Sequence, residues 1–476
     1  MPKEKTSIAY KLKQAVKNNK YLRTDGDVLI CTICEKKINF SHQHGSQRLS
    51  EHLKSRNHLQ KVDIKDKPKT QTLLRDVFNC EQSTSNDQTQ FNKDMTKAFL
   101  SADIPFHKLN NFYFKNFLKK YIDFAIPEES TLRKNYTKDV YEDTLQKIRN
   151  TIGEKDIFLM IDETTDVESR YVFNVLVGKL DGEPVKAMLL VTYFLTETNN
   201  KTINRGIMDA LALLWPGGIK YDRVYLILSD QAQYMLKAIR NLKETGLFAN
   251  LNHITCLVHA LHRVCEKIRD ENEDVDRFIA LVKKILTKSP HRQQHFKSET
   301  QLPLPPKVIT TRWGTWLNAV FYYCEHFTLI KKCIGSLDKS KSKAIKEAQK
   351  LLGNSDINTQ MFNLLKYRIL CDSIKKLQSD ELTTRQQRDI IQHVENKLTC
   401  FAKEKLKSCL SKNPDLSEYT SETKSLDFRI MTSYSPLVTV DVERSFSKYK
   451  SILRDNRRSL TEIHLSQYLC INYNLK

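Results

Sequence analysis

"VYLILSDQAQYM", residues 224–235, changes from one pattern to another near its centre. The run from Val224 to Leu228 is continuously apolar, which predicts a buried strand, and the apolar spacing after Asp230 predicts a helix. Aspartate is a favoured N-cap, so Asp230 has an ordinary explanation as the residue that caps this helix. The alternative is that Asp230 holds a metal ion at the end of the strand. Partners elsewhere in the chain distinguish the two.

Segments on both sides of this stretch predict the surrounding fold. Three apolar runs before it predict strands, and they are "DIFLMIDETTD", "YVFNVLVGKL" and "PVKAMLLVTYFL". The run "NRGIMDALALLW" predicts a helix, and "NHITCLVHALHRVCEKIRD" predicts a short strand that leads into a helix. The resulting order, β-β-β-α-β-α-β-α, is typical of a mixed sheet with helices packed on it.

This order provides partners for Asp230. In a mixed sheet whose first three strands are antiparallel, the first and fourth strands are usually parallel neighbours, so their carboxyl ends meet at one edge. Asp162 ends the first strand, at "IFLMID", and we expect it beside Asp230. Two carboxylates there suit Mg²⁺. Glu443, in "TVDVERSFSKYKSIL", is the candidate third ligand, while Asp166 and Asp441 are the respective competitors of Asp162 and Glu443.

The rest of the chain is mainly helical in pattern. Residues 63–92 are polar and rich in Ser, Thr, Asn and Gln, which indicates a linker. Strand patterns nearly disappear after residue 270, where long charged helical patterns replace them. The predicted boundaries are a zinc finger at 20–65, a linker at 66–92, a helical DNA-binding or dimerisation segment at 93–149, an α/β core at 150–269, an all-α block at 270–425, and the end of the core with C-terminal dimerisation helices at 426–476.

A metal site is predicted near the start of the chain. Cys31-x2-Cys34 supplies two thiolates from a tight turn, and His52-x5-His58 supplies two imidazoles from a later helical stretch. Together they make a tetrahedral zinc site. Six residues turn a regular helix by about 600°, so the two histidines would not share a face, and we expect the helix to loosen at Ser55-Arg56-Asn57.

Other residues of this segment have candidate roles. His42 and His44 are possible replacement zinc ligands, and Lys54 and Arg56 are candidates for contacts with DNA phosphates.

The charge balance favours a polyanionic partner. The 77 Lys+Arg outnumber the 56 Asp+Glu, which gives a formal charge of +21, and nucleic acid is the first candidate for such an excess. No apolar run approaches the roughly 18–20 residues of a membrane span. The 11 cysteines are an odd number, and "MPKEK" does not begin a signal peptide, so we expect reduced thiols in a nuclear or cytosolic compartment. With DNA as the expected partner, the nucleus is the predicted location.

The finger and the helical stretch with "ADIP" resemble the BED-type zinc fingers and the CGG-repeat-binding proteins. The motifs "IDETTD", "LSDQAQYML", "CLVHALHRV", "TRWGTW" and "VERSFSKYKSILRDNRRSL" are together similar to the hAT superfamily of transposases. That resemblance covers about residues 150–476. It implies an RNase H-like catalytic core, interrupted by an all-α insertion domain.

The hAT resemblance also implies roles for individual residues. The DDE triad of the family maps onto Asp162, Asp230 and Glu443, which would bind Mg²⁺ or Mn²⁺. The resemblance implies two sites that contact DNA. One is Cys256-x2-His259, near the active site, and the other is Arg312-Trp313, where the tryptophan stacks on an unpaired base. Burial in the core is the alternative explanation for Cys256 and His259, and core packing is the better explanation for Trp316.

Two classes of function follow. The first is a DNA-binding hAT-like transposase that cleaves and transfers strands at transposon ends. The second is a domesticated, non-catalytic DNA-binding regulator that recognises a CGG-like site, and an RNA-binding protein is a third that leaves the acids unexplained. We expect a homodimer or larger assembly, because the C-terminal pattern is apolar beyond what one helix face needs, at Ile463, Leu465, Tyr468, Leu469, Ile471 and Tyr473.

Overall fold

The computed structural model of the chain describes residues 7–26, 28–40, 44–66, 74–309, 314–353, 356–379, 381–453 and 460–475, with the side chains of 60 and 63–85 left out. The chain divides into two compact units, Met1–Asn86 and Asp87–Lys476. Each unit is considered by itself.

The first unit is a small α/β module. Its elements are α1 (Ile8–Lys17), β1 (Leu22–Asp25), β2 (Val28–Cys31), β3 (Lys36–Ile38), α2 (Gly45–Lys54) and α3 (Arg56–Asp66). The three strands form an antiparallel sheet in the order β1-β2-β3. Leu12 of α1 is buried in one cluster with Leu22, Leu29 and Ile38 of the sheet. The module therefore begins at α1, before the residue 20 that the sequence indicates.

Helix α4 (Leu74–Ser101) occupies most of the predicted linker. The polar composition of residues 66–92 predicts a linker without a packed core. The structure places a helix over residues 74–92 of it, and the linker itself stays a prediction. The division between the two units, after Asn86, falls inside this segment. The other domain boundaries stay predictions.

The second unit contains a five-stranded mixed sheet. Its strands are β4 (Asp156–Thr165), β5 (Tyr171–Leu180), β6 (Met188–Leu195), β7 (Val224–Ser229) and β8 (Asn252–Thr255), in the spatial order β6-β5-β4-β7-β8. Strand β5 pairs antiparallel with β4 and β6, while β7 pairs parallel with β4 and β8. With α8 (Asn200–Leu214), α9 (Gln233–Glu244) and α10 (Leu257–Asp270), the predicted strand and helix order is confirmed.

The remaining elements of the second unit are helical. Before the sheet they are α5 (Phe112–Tyr121), α6 (Glu129–Thr131) and α7 (Thr137–Ile152); after α10 they are α11 (Glu273–Thr287), α12 (Pro290–Thr300), α13 (Thr315–Glu325), α14 (Phe327–Gly335), α15 (Lys343–Gly353), α16 (Asp356–Asn363), α17 (Arg368–Leu377), α18 (Thr384–Lys397), α19 (Cys400–Ser411), α20 (Leu416–Tyr419), α21 (Leu426–Met431), α22 (Val440–Ile452) and α23 (Glu462–Asn474). Short 3-10 turns lie at Phe106–Asn110, Tyr221–Arg223, Lys339–Lys341 and Leu365–Tyr367, and a π turn at Leu132–Tyr136. The described part of residues 270–425 is thus all helical, as predicted.

Both faces of the sheet are covered, which explains why β4 is apolar without alternation. Phe158 and Met160 point into one core, which they share with residues of α10 and α22. Ile157, Leu159 and Ile161 point into the opposite core, which α7, α8 and α9 cover. Side chains alternate between faces along a strand, so the Asp162 side chain, two positions after Met160, lies on the same face as α10 and α22.

A buried hydrogen-bond network fixes α22 on the sheet. The Asn174 side-chain amide of β5 donates to the Ser445 hydroxyl of α22 at 2.7 Å, and its oxygen accepts from the Thr192 hydroxyl of β6 at 2.7 Å. All three residues are buried. Because buried polar groups must find partners, this network specifies where α22 lies along β5.

The C-terminal helix α23 packs within its own chain. Leu465, Leu469 and Tyr473 join the core that contains α22, and Cys470 joins the opposite core. Tyr468 and Ile471 join a third cluster, formed by residues of α4 and its neighbours, while Ile463 is 69% exposed. Most apolar side chains of α23 are therefore buried against other parts of the same chain. They do not support the predicted dimer, which stays a prediction.

In the described part of the chain, no helix combines the length and the apolar character that crossing a membrane requires.

The network around Asn174 leads to a stability prediction. Asn174→Ala removes both hydrogen bonds and deprives the buried Ser445 and Thr192 hydroxyls of this partner, so we expect the free energy of unfolding to fall by about 1–3 kcal/mol. Urea unfolding, followed by tryptophan fluorescence of the second unit, measures the change. The matched control is Asn150→Ala on an exposed part of α7, which should change stability by less than about 0.5 kcal/mol. Equal stability of both variants would contradict the role of the network.

Candidate metal centre and carboxylate cluster

The first unit brings together the four predicted zinc ligands. Cys31 ends β2, Cys34 lies in the turn before β3, and His52 and His58 come from α2 and α3. Their ligand atoms all lie within 4.8 Å of one another. The two Sγ atoms are 3.5 and 3.4 Å from His58 Nδ1. This is a Cys2His2 group that can bind a metal ion such as zinc.

The helix break between the two histidines is confirmed. Helix α2 ends at Lys54, Ser55 has an extended backbone with ψ of 139°, and α3 begins at Arg56. The break turns His58 toward His52, whose ring centroid is 5.0 Å away. Without it, a spacing of six residues would direct the two rings away from each other.

The chemistry of this group fits a cation. Burial, followed by the neighbouring Cys31, raises the pKa of the Cys34 thiol. Burial also lowers the pKa of His52, with His58 and Lys36 adding to the effect. The lowered pKa favours the neutral, metal-binding form of His52, and a cation would compensate the charge of the thiolates.

The other candidates of the first unit lie around this centre. His44 is exposed at the N-cap of α2 and does not belong to the four-ligand group, while His42 lies outside the described residues. Lys54 and Arg56 lie on either side of the helix break, and both are exposed. They are therefore accessible to a partner, although their contact with DNA stays a prediction.

The second unit brings the predicted acids to one edge of its sheet. The parallel register of β4 and β7 ends at Met160 and Leu228, and Asp162 and Asp230 each lie two residues further on. Helix α22 packs against β4 and β5 and carries Glu443 in its first turn. Ligand atoms of Asp162, Glu443 and His259 all lie within 4.8 Å of one another.

Burial, with a contribution from the neighbouring acids, shifts the pKa values of Asp162 and Glu443. Asp162 is only 7% exposed, and burial raises its pKa well above the usual range, with Asp230 and Glu443 adding to the increase against the opposing charge of His259. Burial also raises the pKa of Glu443, and Asp230 contributes in the same direction. Asp230 thus acts on both other acids electrostatically.

Asp230 is not the N-cap of the following helix. Helix α9 begins at Gln233 with Ala232 as its N-cap, and the Asp230 carboxylate accepts a hydrogen bond from the Ala232 N–H at 3.0 Å. The capping explanation is therefore wrong, since two residues separate Asp230 from the helix. The side chain shapes the turn and is half-buried at the edge of the sheet.

The two competing aspartates have other partners. Asp166 forms an ion pair with Arg170 at 2.7 Å and accepts a hydrogen bond from the Tyr449 hydroxyl at 2.7 Å. Although its burial acts in the opposite direction, these bonds lower the Asp166 pKa. Asp441 forms an ion pair with Arg444 at 2.8 Å. Both carboxylates are thus used within the structure, and this favours Asp162 and Glu443 as the metal-ligating acids.

Glu163 and Tyr234 also belong to the cluster, and neither was predicted from the sequence. The Tyr234 hydroxyl donates a hydrogen bond to Glu163. Burial raises the Glu163 pKa, and Asp230 adds to the shift against the hydrogen bond from Tyr234. Burial and then Glu163 raise the pKa of Tyr234. The run of acids in "IDETTD" was the available signal for Glu163, whereas nothing in the pattern of α9 distinguishes Tyr234 from a core residue.

Cys256 and His259 lie beside the acids. Cys256 precedes α10 and accepts a hydrogen bond from the Thr439 N–H at 3.2 Å, and His259 Nε2 is 3.9 Å from a Glu443 oxygen. Burial acts to raise the pKa of Cys256, but His259 and Thr439 outweigh it and lower the pKa. Burial acts to lower the pKa of His259, yet Cys256, Asp162 and Glu443 raise it to about 10.

The structure describes Trp316 but not the Arg312-Trp313 pair that was predicted to contact DNA. Arg312 and Trp313 lie outside the described residues. Trp316 is buried on α13 within the large core, as core packing predicts.

The comparisons with known proteins identify one segment. Residues 82–139 match the family described as the CGGBP1 helical domain. This segment contains most of α4 together with α5 and α6. The search of curated proteins found no match.

The Cys2His2 group leads to a prediction about metal and folding. Cys34→Ser and His58→Ala should each lose bound zinc, because each removes one of four ligands, whereas the matched variant His44→Ala should keep it. Zinc release measured with a chromophoric chelator tests this on the full chain. We also expect chelation to remove the far-UV signal of a fragment of residues 1–66, since small zinc modules fold with their metal. A fragment that keeps its spectrum would contradict a structural metal.

Proposed function

We propose that this chain is a DNA-binding hAT-like transposase that catalyses metal-dependent strand cleavage and transfer at transposon ends. The observation that carries the proposal is the position of three acids. Asp162 and Asp230 follow equivalent positions of two parallel neighbours, and Glu443 comes from a helix packed on the same sheet. In the family that the motifs resemble, two aspartates and a glutamate in this order form the DDE triad of an RNase H-like core.

The donor set fits a magnesium or manganese ion. Asp162, Asp230 and Glu443 offer carboxylate oxygens, the ligands that hard divalent cations prefer. Burial is the main cause of the raised pKa values of Asp162 and Glu443, and the neighbouring Asp230 adds to both. When bound, such ions would activate the attacking hydroxyl and stabilise the leaving oxygen of a phosphodiester. The carboxylates would act as ligands and would not serve as general bases.

Other residues of the chain would position the DNA. His259 carries positive charge at neutral pH beside the acids, where a phosphate of the scissile strand would be attracted. The zinc finger, with Lys54 and Arg56 beside its helix break, would bind the duplex, and the formal charge of +21 would give that binding its salt dependence. A structural zinc ion at the Cys2His2 group and a nuclear location belong to the same proposal.

A second candidate is a domesticated DNA-binding regulator without catalysis, which recognises a CGG-like site. The match of residues 82–139 to the CGGBP1 helical domain favours it. The position of His259 also favours it, because a cationic histidine compensates part of the carboxylate charge without a metal ion. Both candidates bind DNA, so only strand cleavage distinguishes them.

The decisive prediction concerns Asp230→Asn. Asparagine keeps the acceptor for the Ala232 N–H but removes a negative charge, so folding should be unchanged while cleavage falls by about a hundredfold or more. Asp162→Asn and Glu443→Gln should behave alike, and a double variant should lose little more than a single one, because the triad acts as a unit. Magnesium-dependent nicking of the terminal repeats that flank the gene measures the effect, beside a DNA-binding assay.

The control is Asp209→Asn, which changes an exposed acid on α8 and should leave nicking intact. Undiminished nicking by Asp230→Asn would contradict the proposed site. Absence of nicking by the unmutated chain on every flanking end, together with specific binding, would favour the regulator.

A further inference from the structure

Helix α5 exposes an aromatic face among the N-terminal helices of the second unit. Tyr113, Phe117 and Tyr121 are 81%, 57% and 66% exposed. Their spacing of four residues places them in one line along the helix, at intervals of about 6 Å. Phe112 at one end and Phe124 just beyond the other are also exposed. Exposed aromatic residues that are contiguous in this way indicate a binding surface.

The opposite face of α5 accounts for the stability of the helix. Phe114 and Leu118 pack against the cluster that contains Phe99 and Phe106. Asn111 caps the helix, because its side chain accepts a hydrogen bond from the Phe114 N–H at 3.0 Å. The exposed rings are therefore not required to hold α5 in place.

The segment around the rings carries an excess of positive charge. Residues 103–124 contain four lysines and two acids, and the acids, Asp103 and Asp123, lie near its two ends. Lys119 and Lys120 are exposed on α5, and the Lys120 ammonium lies 4.9 Å from the centroid of the Tyr121 ring. Lys115 forms an ion pair with Glu128 at 2.5 Å. A second copy of the same face would bring lysine against lysine, whereas a polyanion would be attracted.

We propose that this face, Tyr113, Phe117 and Tyr121 with Lys120 beside the Tyr121 ring, binds single-stranded DNA. Aromatic rings offer stacking platforms to bases whose own partners are absent, and lysines beside them attract the phosphates. In a duplex the bases are already paired and stacked on one another, so their faces are not available to the rings. The proposal rests on the DNA binding in the proposed function and does not depend on strand cleavage.

Unpaired DNA strands are a ligand that this surface would meet at a processed DNA end. Strand cleavage or local melting at a DNA end produces unpaired bases, and an exposed aromatic row would hold that strand without reading its sequence, since every base has a face to stack. Residues 82–139 include the whole of α5, so the surface lies inside the segment that matches the CGGBP1 helical domain. Single-stranded DNA would then be a ligand of that segment.

The test measures binding of the full-length chain to a fluorescent oligo-dT of about 20 nucleotides, longer than the sites of single binding modules. Fluorescence anisotropy without magnesium gives the affinity. We expect Tyr113→Ala and Phe117→Ala each to weaken binding by about tenfold, and Tyr113→Phe to retain it, because phenylalanine preserves the stacking face. The matched control, Phe362→Ala, removes an equally exposed ring on α16 and should leave the affinity unchanged.

A second readout separates stacking from charge. Lys120→Gln should reduce the salt dependence of binding, by about 0.7 in the log–log slope for each phosphate that the protein no longer neutralises. Loss of duplex binding as large as the loss of oligo-dT binding in the aromatic variants would overturn the proposal. So would unchanged oligo-dT affinity, tighter binding of oligo-U, or a smaller oligomer in light scattering, which would make the face an interface between copies.

The outcomes for the two proposals are distinguishable. Aromatic variants that lose oligo-dT binding while the unmutated chain nicks no DNA would support this surface and count against catalysis. Nicking by the unmutated chain, together with unchanged oligo-dT binding by the variants, would support catalysis and contradict the single-strand-binding surface.

Discussion

The parallel pairing of β4 with β7 is the constraint on which the second unit depends. Because both faces of the sheet are covered, β4 must be apolar on both sides, and its side chains divide between two cores. The same alternation brings Asp162 out on the face that α10 and α22 cover. The parallel register then sets Asp230 at the equivalent position of the neighbouring strand. The position of the acids is thus a consequence of how the strand is buried.

Burying acids in this way has an energetic cost that the structure compensates in part. Carboxylates in a low-dielectric environment favour the protonated form, and Asp162 follows this rule. His259 opposes the shift, and Cys256 in turn stabilises the charged histidine. The first unit also brings thiols beside imidazoles, and its group of Cys31, Cys34, His52 and His58 could hold a metal ion.

Local patterns in the sequence predicted much of this arrangement. The strand order follows from runs such as residues 224–228, and the four zinc ligands follow from their spacing. The helix break at Ser55 follows from the geometry of His52 and His58. The features that local patterns do not reveal depend on tertiary contacts. Three contacts are examples. Asp166 pairs with Arg170 and Tyr449, Tyr234 donates a hydrogen bond to Glu163, and α23 packs inside the chain. Each contact depends on the tertiary fold, so the apolar pattern of a single segment does not predict it.

The network that holds α22 joins residues 271 positions apart. The strands that carry Asp162 and Asp230 are made early in synthesis, but the helix that carries Glu443 follows only after the whole all-α block. Closing so long a loop is entropically slow, although the additional free-energy cost grows only with the logarithm of its length. The chain therefore emerges with its finger and its aromatic helix complete while the third acid is still missing. A growing or truncated chain would contain the surfaces that we propose for DNA before it contains a complete carboxylate cluster, so under that proposal DNA binding would not require Glu443.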